Sequence, residues 1–284
     1  MGIGSDTIDQ LIWLRTKNLL QERTAVVEIG AQQLNNSFLS APDKIKQLGT
    51  LFGINRPLSL PPPKPTHIVH GQLEHLDVAA PWARDFWNWL GFEYAAIDID
   101  GSPGSIPLDL NVDSVPPEAR SKYQLVTNFG TTEHVANQVN AFKIIHELTA
   151  LDGLMIHAVP AQGFFNHGLV NYNFKFFWML GRSNGYRFIH ANFGTATTAS
   201  SLPQDILGFL QPWGANGGGK LHEEYRAFDA GIGVIMQKRY DIPFVPPIDV
   251  ATGTETSNVA LKQRYWTVFE PGVFERLERE RDAT

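Results

Sequence analysis

The 284-residue sequence contains no cysteine, which excludes disulfide bonds, thiolate nucleophiles, cysteine-ligated zinc and iron–sulfur clusters. It also has no excess of basic residues, because 23 Lys and Arg stand against 29 Asp and Glu, for a net charge of -6. Proteins that bind nucleic acids usually present a basic field to the phosphates. We therefore predict no nucleic-acid partner.

Long apolar runs are missing as well. No segment approaches the roughly 18 uninterrupted apolar residues of a membrane span, so no membrane association is expected. Residues 1–6 have neither the basic nor the apolar region of a signal peptide, which predicts a cytoplasmic protein. With 43% hydrophobic residues, the chain has enough apolar side chains for a large core.

The sequence does contain short apolar strands that alternate with amphipathic helices. Seven strands are predicted, at Thr24–Gly30, Phe92–Ile99, Ile106–Leu110, Gln124–Gly130, Gly153–Val159, Tyr186–Phe193 and Gly231–Lys238. The clearest helices are predicted at Thr7–Leu20, Trp82–Leu90, Glu133–Thr149 and, in the charged tail, Phe274–Arg281. This alternation predicts an α/β fold with a seven-stranded, mostly parallel sheet and helices on both faces.

The chain is predicted to have one main domain at residues 24–240, preceded by an N-terminal helical segment at 1–23 and followed by a C-terminal extension at 241–284. A proline-rich excursion at about 53–80 interrupts the domain. Five prolines fall between Pro57 and Pro65, and they cannot continue a helix or a central strand. This run predicts an extended connector.

Polar residues follow the first three predicted strands at the sheet edge where ligands bind in such folds. Glu28 and Gly30 end the first strand, where glycine allows a ligand close to the backbone, although a strand-to-helix turn often needs one for structural reasons alone. Asp98 ends the second strand and suits the two hydroxyls of a ribose, or is a solvated turn residue. Asp109 with Leu110 suits the amine and the face of an adenine.

The fourth and fifth strands are followed by histidines. Thr131-Thr132-Glu133-His134 comes after Asn128-Phe129-Gly130, and either threonine also suits the cap of a helix that begins there. At that helix start, His134 is expected to be neutral and able to accept a proton. His167 lies in a loop that mixes polar groups with aromatic residues, which suits a small organic molecule. His157, inside a strand, is interpreted as a core residue.

The order of these motifs, Glu-x-Gly, a strand-end Asp, Asp-Leu and Asn-Phe-Gly-x-x-Glu-His, resembles the class I (Rossmann-like) S-adenosylmethionine-dependent methyltransferases over about residues 24–50 and 82–240. The resemblance implies a sheet whose last strand is antiparallel, S-adenosylmethionine as cofactor, and methyl transfer to oxygen or nitrogen of a small-molecule acceptor. The residues that it places at the cofactor are Glu28, Gly30, Gln32, Asp98, Ile99, Asp109, Leu110, Asn128, Phe129 and Gly130. Gln32 stands where the family commonly has a further glycine, and we expect its side chain to donate a hydrogen bond instead.

The resemblance also implies an acceptor side. His167 and His134 are the candidates for a general base. Glu133, Gln162, Asn166 and Tyr172 are predicted to bind the acceptor. By analogy with the family, the N-terminal helix around Trp13 is expected to act as a lid.

Two other functions fit parts of the sequence. Asp98-Ile99-Asp100 is also the Asp-x-Asp with which metal-dependent glycosyltransferases hold a divalent ion and a sugar nucleotide. The altered glycine loop also fits a non-catalytic domain of the same fold that acts as an oligomer or binding partner, and the C-terminal extension suits the interface of a homo-oligomer. His67, His70 and His75 are interpreted as solvated loop residues, and the sequence predicts no metal site.

Overall fold

The computed structural model describes residues 2–22, 24–61, 65–70, 73–78, 80–164, 166–195 and 230–283. Its strands are β1 (Ala25–Ile29), β2 (Pro65–His70), β3 (Leu73–Val78), β4 (Glu93–Ile97), β5 (Ser105–Ile106), β6 (Tyr123–Phe129), β7 (Thr149–Gln162), β8 (Arg187–Thr195) and β9 (Ala230–Gln237). Its helices are α1 (Ser5–Thr16), α2 (Asn36–Leu39), α3 (Pro42–Leu51), α4 (Ala83–Trp89), α5 (Gln138–Leu148), α6 (Phe174–Asn184), α7 (Val259–Arg264), α8 (Trp266–Phe269) and α9 (Val273–Asp282).

Seven of the strands form a mixed sheet in the order β5-β4-β1-β6-β7-β9-β8. β9 pairs antiparallel with both of its neighbours, β7 and β8, whereas β4 is parallel to β1 and β7 is parallel to β6. The predicted α/β fold, with seven strands and an antiparallel last strand, is therefore confirmed.

The chain divides into two compact units, Met1–Leu108 and Asp109–Thr284. In the first unit, β1 is buried at all of its positions and pairs in parallel register with β4, from Ala25 with Glu93 to Ile29 with Ile97. Burial on both faces explains why every residue of β1 except Glu28 is apolar, which is typical of a strand inside a parallel sheet. Aromatic rings fill the core beside it, with Phe38 against Phe86 at 4.9 Å between ring centroids.

The proline-rich excursion contains regular structure that the sequence did not predict. β2 and β3 pair antiparallel as a separate two-stranded sheet, so His67, His70 and His75 lie in strands and not in a loop as predicted. The prolines before Pro65 precede the hairpin, and Pro65 is the first residue of β2, a position where proline is tolerated. α2, α3, the hairpin, α4 and β4 all lie within the 68 positions that separate Gly30 from Asp98.

In the second unit, the predicted helix Glu133–Thr149 is shorter than expected. Thr132–His134 form a single 3-10 turn, and α5 begins only at Gln138, where the side chain of Asn137 accepts a hydrogen bond from the backbone N–H of Asn140. Asn137, and not either threonine, therefore caps the helix. The predicted strand Ile106–Leu110 is also shorter, because it ends at Ile106 and the chain turns at Asp109.

The C-terminal extension, which is part of the second unit, packs against the rest of that unit through its predicted helix, α9. Tyr240 stacks on Phe274, and Arg281 donates two hydrogen bonds to the carboxylate of Asp152. In addition, the hydroxyl of Thr267 donates to the carbonyl oxygen of Ser183 in α6. Within the described parts of the chain, no helix combines the length and the apolar character needed to cross a membrane.

Candidate functional site

Glu28, next to last in β1, is fully buried and holds the first strand-to-loop turn together. Its Oε1 accepts a hydrogen bond from Trp87 Nε1 at 2.8 Å, and its Oε2 accepts from the Tyr94 hydroxyl and the Gln32 backbone N–H, both at 2.9 Å. Burial raises the pKa of Glu28 to about 7, and the three hydrogen bonds offset part of that rise. The carboxylate thus acts on the protein's own loop, so any role at a ligand is one of positioning.

The partners of Glu28 were missed by sequence reasoning. Trp87 lies in α4 and Tyr94 in β4, 59 and 66 positions away along the chain. Both residues are typical of a buried core, and no local motif marks either as a hydrogen-bond donor to the strand end. Burial and the adjacent Glu28 carboxylate raise the pKa of the Tyr94 hydroxyl, which therefore remains a donor.

The ends of β1 and β4 come together within the first unit, because the two strands pair in parallel register. Gly30 adopts a left-handed conformation with φ of 76°, which favours glycine, and its N–H donates to the carbonyl oxygen of Ile97 at 2.8 Å. One residue later, the N–H of Ala31 donates to Asp98 Oδ2 at 2.9 Å. The carboxylate of Asp98 is therefore fixed beside the glycine turn and remains partly exposed.

Gln32 occupies the place of a family glycine and makes the side-chain hydrogen bond expected of it, although to its own loop. Its Nε2 donates to the carbonyl oxygen of Gly30 at 3.0 Å, and the side chain is buried. A glycine at this position would leave the turn flexible, whereas the hydrogen bond from the Gln32 side chain fixes its shape.

The two residues after Asp98 differ in their surroundings. Ile99 is 75% exposed, like several other large apolar side chains that the structure leaves at the surface. Asp100 accepts hydrogen bonds from the backbone N–H and the hydroxyl of Ser102, and the hydroxyl bond is the main reason that the pKa of Asp100 is lowered. Within the described residues, neither Asp98 nor Asp100 belongs to a group of three potential metal ligands.

Asp109 and Leu110 begin the second unit in a compact turn. Asp109 Oδ1 accepts from the backbone N–H and the side-chain amide of Asn111, at 2.8 and 3.0 Å, while Asp113 Oδ2 accepts from the backbone N–H of Asp109. Asp109 remains partly exposed, and Leu110 is buried. The hydrogen bonds hold the carboxylate in one orientation.

Asn128 at the end of β6 is fully buried within a polar network. Its Nδ2 donates to Thr132 Oγ1 at 2.8 Å and lies 3.2 Å from His157 Nδ1, and its Oδ1 accepts from the Thr132 backbone N–H. Phe129 is buried next to it, and Gly130 takes a left-handed φ of 77°. The side chain of Asn128 therefore shapes the turn after β6 from the inside.

We expect Asn128→Ala to lower the free energy of unfolding by about 1–3 kcal/mol, because it leaves the buried Thr132 backbone N–H and His157 Nδ1 without this hydrogen-bond partner. Urea denaturation measures this change. Asn166→Ala, at an exposed position, is the matched control and is expected to stay within about 0.5 kcal/mol of the wild type. Equal stabilities of the two variants would contradict the structural role of Asn128.

Glu133 and the two predicted catalytic histidines form one cluster in the second unit. Glu133 Oε1 lies 3.4 Å from His167 Nε2 and 3.9 Å from His134 Nε2. The Glu133 side chain is 0% exposed, whereas His134 and His167 are 49% and 34% exposed. Among the described residues, neither carboxylate oxygen of Glu133 has a hydrogen-bond partner. The structure thus brings together three residues that the sequence had assigned separately to catalysis and to acceptor binding.

The reason given from the sequence for a neutral His134 does not hold. The residue lies in the 3-10 turn, four positions before α5 begins, so it does not occupy the N-terminus of that helix. The partial positive charge of a helix acts only within its first turn.

The remaining predicted residues of the second unit fall into an exposed and a buried group. Gln162 and Asn166 are exposed. Tyr172 is buried, donates a hydrogen bond to Gln138 Oε1 and hydrogen-bonds Thr132 Oγ1, and burial raises the pKa of its hydroxyl. Burial also lowers the pKa of His157 to about 3, in agreement with its interpretation as a core residue.

No known protein family model matches the sequence, and no curated protein is similar to it. Similar solved structures include a 1,6-didemethyltoxoflavin-N1-methyltransferase from Burkholderia thailandensis, with 10% identity, a TM-score of 0.40, and 81% of this chain and 77% of that chain covered. That structure contains bound 1,6-didemethyltoxoflavin and S-adenosylhomocysteine.

Two further structures are S-adenosylmethionine-dependent methyltransferases. The one from Mesorhizobium loti has 11% identity and a TM-score of 0.40, with 81% of this chain and 99% of that chain covered. The one from Archaeoglobus fulgidus has 9% identity and a TM-score of 0.41, with 81% and 94% covered. These values describe a distant likeness of fold. The seven-stranded sheet and its antiparallel last strand are the features that the resemblance to class I methyltransferases implies.

Proposed function

We propose that the protein is an S-adenosylmethionine-dependent methyltransferase that transfers a methyl group to oxygen or nitrogen of a small-molecule acceptor. The observation that carries the proposal is the hydrogen bond from the Ala31 N–H to Asp98, beside the left-handed Gly30. It holds a carboxylate and a glycine turn together at the carboxyl ends of two parallel strands, which is where nucleoside ligands bind in such sheets.

In this proposal, the partly exposed carboxylate of Asp98 binds the ribose hydroxyls, and the exposed side chain of Ile99 contacts the adenine. Gly30 gives the cofactor access to the backbone. Glu28 and Gln32 act as positioning residues, because their hydrogen bonds are made to the loop itself.

The second-unit residues keep the roles that the resemblance implies for the cofactor, namely Asp109 and Leu110 at the adenine, and Asn128, Phe129 and Gly130 at the methionine part. Because Asn128 and Phe129 are buried, they contribute by shaping the turn. The oriented carboxylate of Asp109 suits an exocyclic amine.

Acceptor binding is proposed for the exposed Gln162 and Asn166 and for the cluster of Glu133, His134 and His167. Tyr172 supports the cluster indirectly, through its hydrogen bond to Thr132, the residue before Glu133. Methyl transfer is an in-line displacement in which the cofactor supplies the electrophile, so the protein acts mainly by alignment and exclusion of water, worth up to roughly 7–11 kcal/mol. With a hydroxyl acceptor, an imidazole of the cluster is placed to accept the proton.

Calorimetric titration with S-adenosylmethionine and S-adenosylhomocysteine tests the proposal. We expect binding of both, weakened about 10- to 100-fold in Asp98→Ala, because hydrogen bonds to a charged group contribute about 1.5–3 kcal/mol. The matched control is Asp100→Ala, which removes a neighbouring exposed carboxylate and is expected to bind like the wild type.

Other outcomes of the titration separate the alternatives. Binding of UDP-glucose with Mn²⁺, lost in both aspartate variants, would support a glycosyltransferase and contradict the proposal. Absence of binding to all ligands would support the non-catalytic domain acting as an oligomer or binding partner. The cytoplasmic location and the homo-oligomer stay predictions from the sequence.

A further inference from the structure

Glu133 is the most unusual polar residue of the second unit. Its carboxyl group is fully buried, yet neither oxygen has a hydrogen-bond partner in the described part of the chain. Proteins rarely bury such a group without compensation, because removal from water costs several kcal/mol unless the group is paired or coordinates a metal. Its two imidazole neighbours form ion pairs with it only when they are protonated, so neutral imidazoles leave the buried carboxyl group of Glu133 uncompensated.

The atoms nearest to this carboxylate are imidazole nitrogens with access to solvent. His167 Nε2 lies 3.4 Å and His134 Nε2 lies 3.9 Å from Glu133 Oε1, and the three ligand atoms lie within 4.8 Å of one another. We propose that Glu133, His134 and His167 bind a divalent transition-metal cation. The proposal replaces the expectation from the sequence that the protein has no metal site.

The spacing of the three atoms suits such an ion. Zinc–nitrogen and zinc–oxygen bonds of about 2.0–2.2 Å place neighbouring ligand atoms of a tetrahedral site about 3.4 Å apart. The Glu133–His167 distance already has this value, at 3.4 Å. His134 is half-exposed, so a side-chain rotation brings its nitrogen the remaining distance. Two imidazoles with one carboxylate favour zinc, cobalt, nickel or iron over magnesium.

The backbone around Glu133 holds the cluster together. The N–H groups of Leu169 and Val170 both donate to the carbonyl oxygen of Glu133, at 2.8 and 3.1 Å, which ties the loop of His167 to the turn of His134. Gly168 makes this approach possible, because a Cβ atom there would lie 2.9 Å from Glu133 Cγ. These contacts hold His134 in the turn and His167 in the loop close to each other before any ion binds.

Three protein ligands leave coordination positions open for a further molecule. A cation of this kind binds an oxygen atom of a second ligand and lowers the pKa of its hydroxyl group. If the proposed methyl transfer is correct, on which this consequence rests, the acceptor is an oxygen-donor molecule that binds to the ion. In that case the two imidazoles bind the ion, and the ion activates the acceptor by lowering the pKa of its hydroxyl group.

Titration of the tag-free, EDTA-treated full-length protein with Co²⁺, without S-adenosylmethionine, tests the site. We expect one Co²⁺ per chain, detected by its visible ligand-field absorption and displaced by Zn²⁺. Loss of an outer hydrogen-bond partner alone weakens metal sites about 10- to 100-fold, so we expect loss of a ligand in Glu133→Gln or His167→Ala to weaken binding at least about 100-fold. His190→Gln removes an imidazole from β8, outside the cluster, and is expected to bind Co²⁺ like the wild type.

Thermal unfolding shows whether a variant that fails to bind Co²⁺ is still folded. Glu133→Gln replaces the buried carboxyl group by an amide of the same shape, so the metal-free variant is expected to melt no lower than the wild type. Co²⁺ is expected to raise the melting temperature of the wild type and of His190→Gln only. Absence of Co²⁺ binding, or binding unchanged by Glu133→Gln and His167→Ala, would overturn the proposal. Because no cofactor is present, failure of this site is distinguishable from failure of the proposed methyl transfer.

Discussion

His167→Ala is expected to retain the affinity for S-adenosylmethionine and to lower turnover by about 10²- to 10⁴-fold, the range for loss of a positioned proton-transfer group. The loss is expected whether the imidazole activates the acceptor as a general base or as a ligand of the proposed cation. The imidazole of His167 is 34% exposed and lies 3.4 Å from the buried carboxylate of Glu133. Affinity is measured by calorimetry, and turnover by release of S-adenosylhomocysteine with an acceptor that supports it in the wild type.

His190→Gln serves as the matched control, because it removes a histidine from β8 and leaves the cluster intact. It is expected to match the wild type in both measurements. If His167→Ala lost cofactor binding while its circular dichroism and melting temperature stayed normal, the assignment of this loop to the acceptor would be wrong.

The second large effect is a pH-dependent stability that originates at Glu28. Its pKa is raised from 4.5 to about 7 in the folded protein, so between these values the folded state binds more protons than the unfolded state. Stability from this group is therefore fully present below about pH 4.5 and is lost as the pH rises through about 7. The shift corresponds to about 3 kcal/mol, since each pKa unit is about 1.4 kcal/mol.

Urea unfolding between pH 4 and 8, with Glu28→Gln as reference, measures this term. We expect the free energy of unfolding of the wild type, relative to the variant, to fall by about 3 kcal/mol across the interval. Tyr94→Phe removes a hydrogen bond that lowers the pKa of Glu28, and is expected to move the transition to higher pH. A difference between wild type and Glu28→Gln that does not vary with pH would show that folding leaves the pKa of Glu28 unchanged.

The fold was predictable because its signals are local and repeated. Apolar strands that end at Gly30 and Gly130, and a helix before Gly91, identify alternating elements without any long-range information. The errors occurred where two local signals compete. The helix predicted from Glu133 has a suitable apolar periodicity, but the extended residues before Asn137 and the cap that Asn137 provides delay its start to Gln138.

The proline-rich excursion shows a different limit. Prolines exclude helices and central strands, but they do not exclude all regular structure. A separate hairpin needs only two short segments that pair with each other, and Pro65 at the start of β2 does not interrupt that pairing.

The sequence by itself determined the alternation of strands and helices, the positions of Gly30 and Asp98 at strand ends, and the absence of every cysteine-based chemistry. Only the tertiary structure decided which polar groups meet. It gives Glu28 its donors from Trp87 and Tyr94, far along the chain, and it places His167 beside a Glu133 that has no hydrogen bond in the described residues. The physical reason is that the charge state and binding capacity of a carboxyl group depend on its burial and its neighbours in space, which the residue type does not specify.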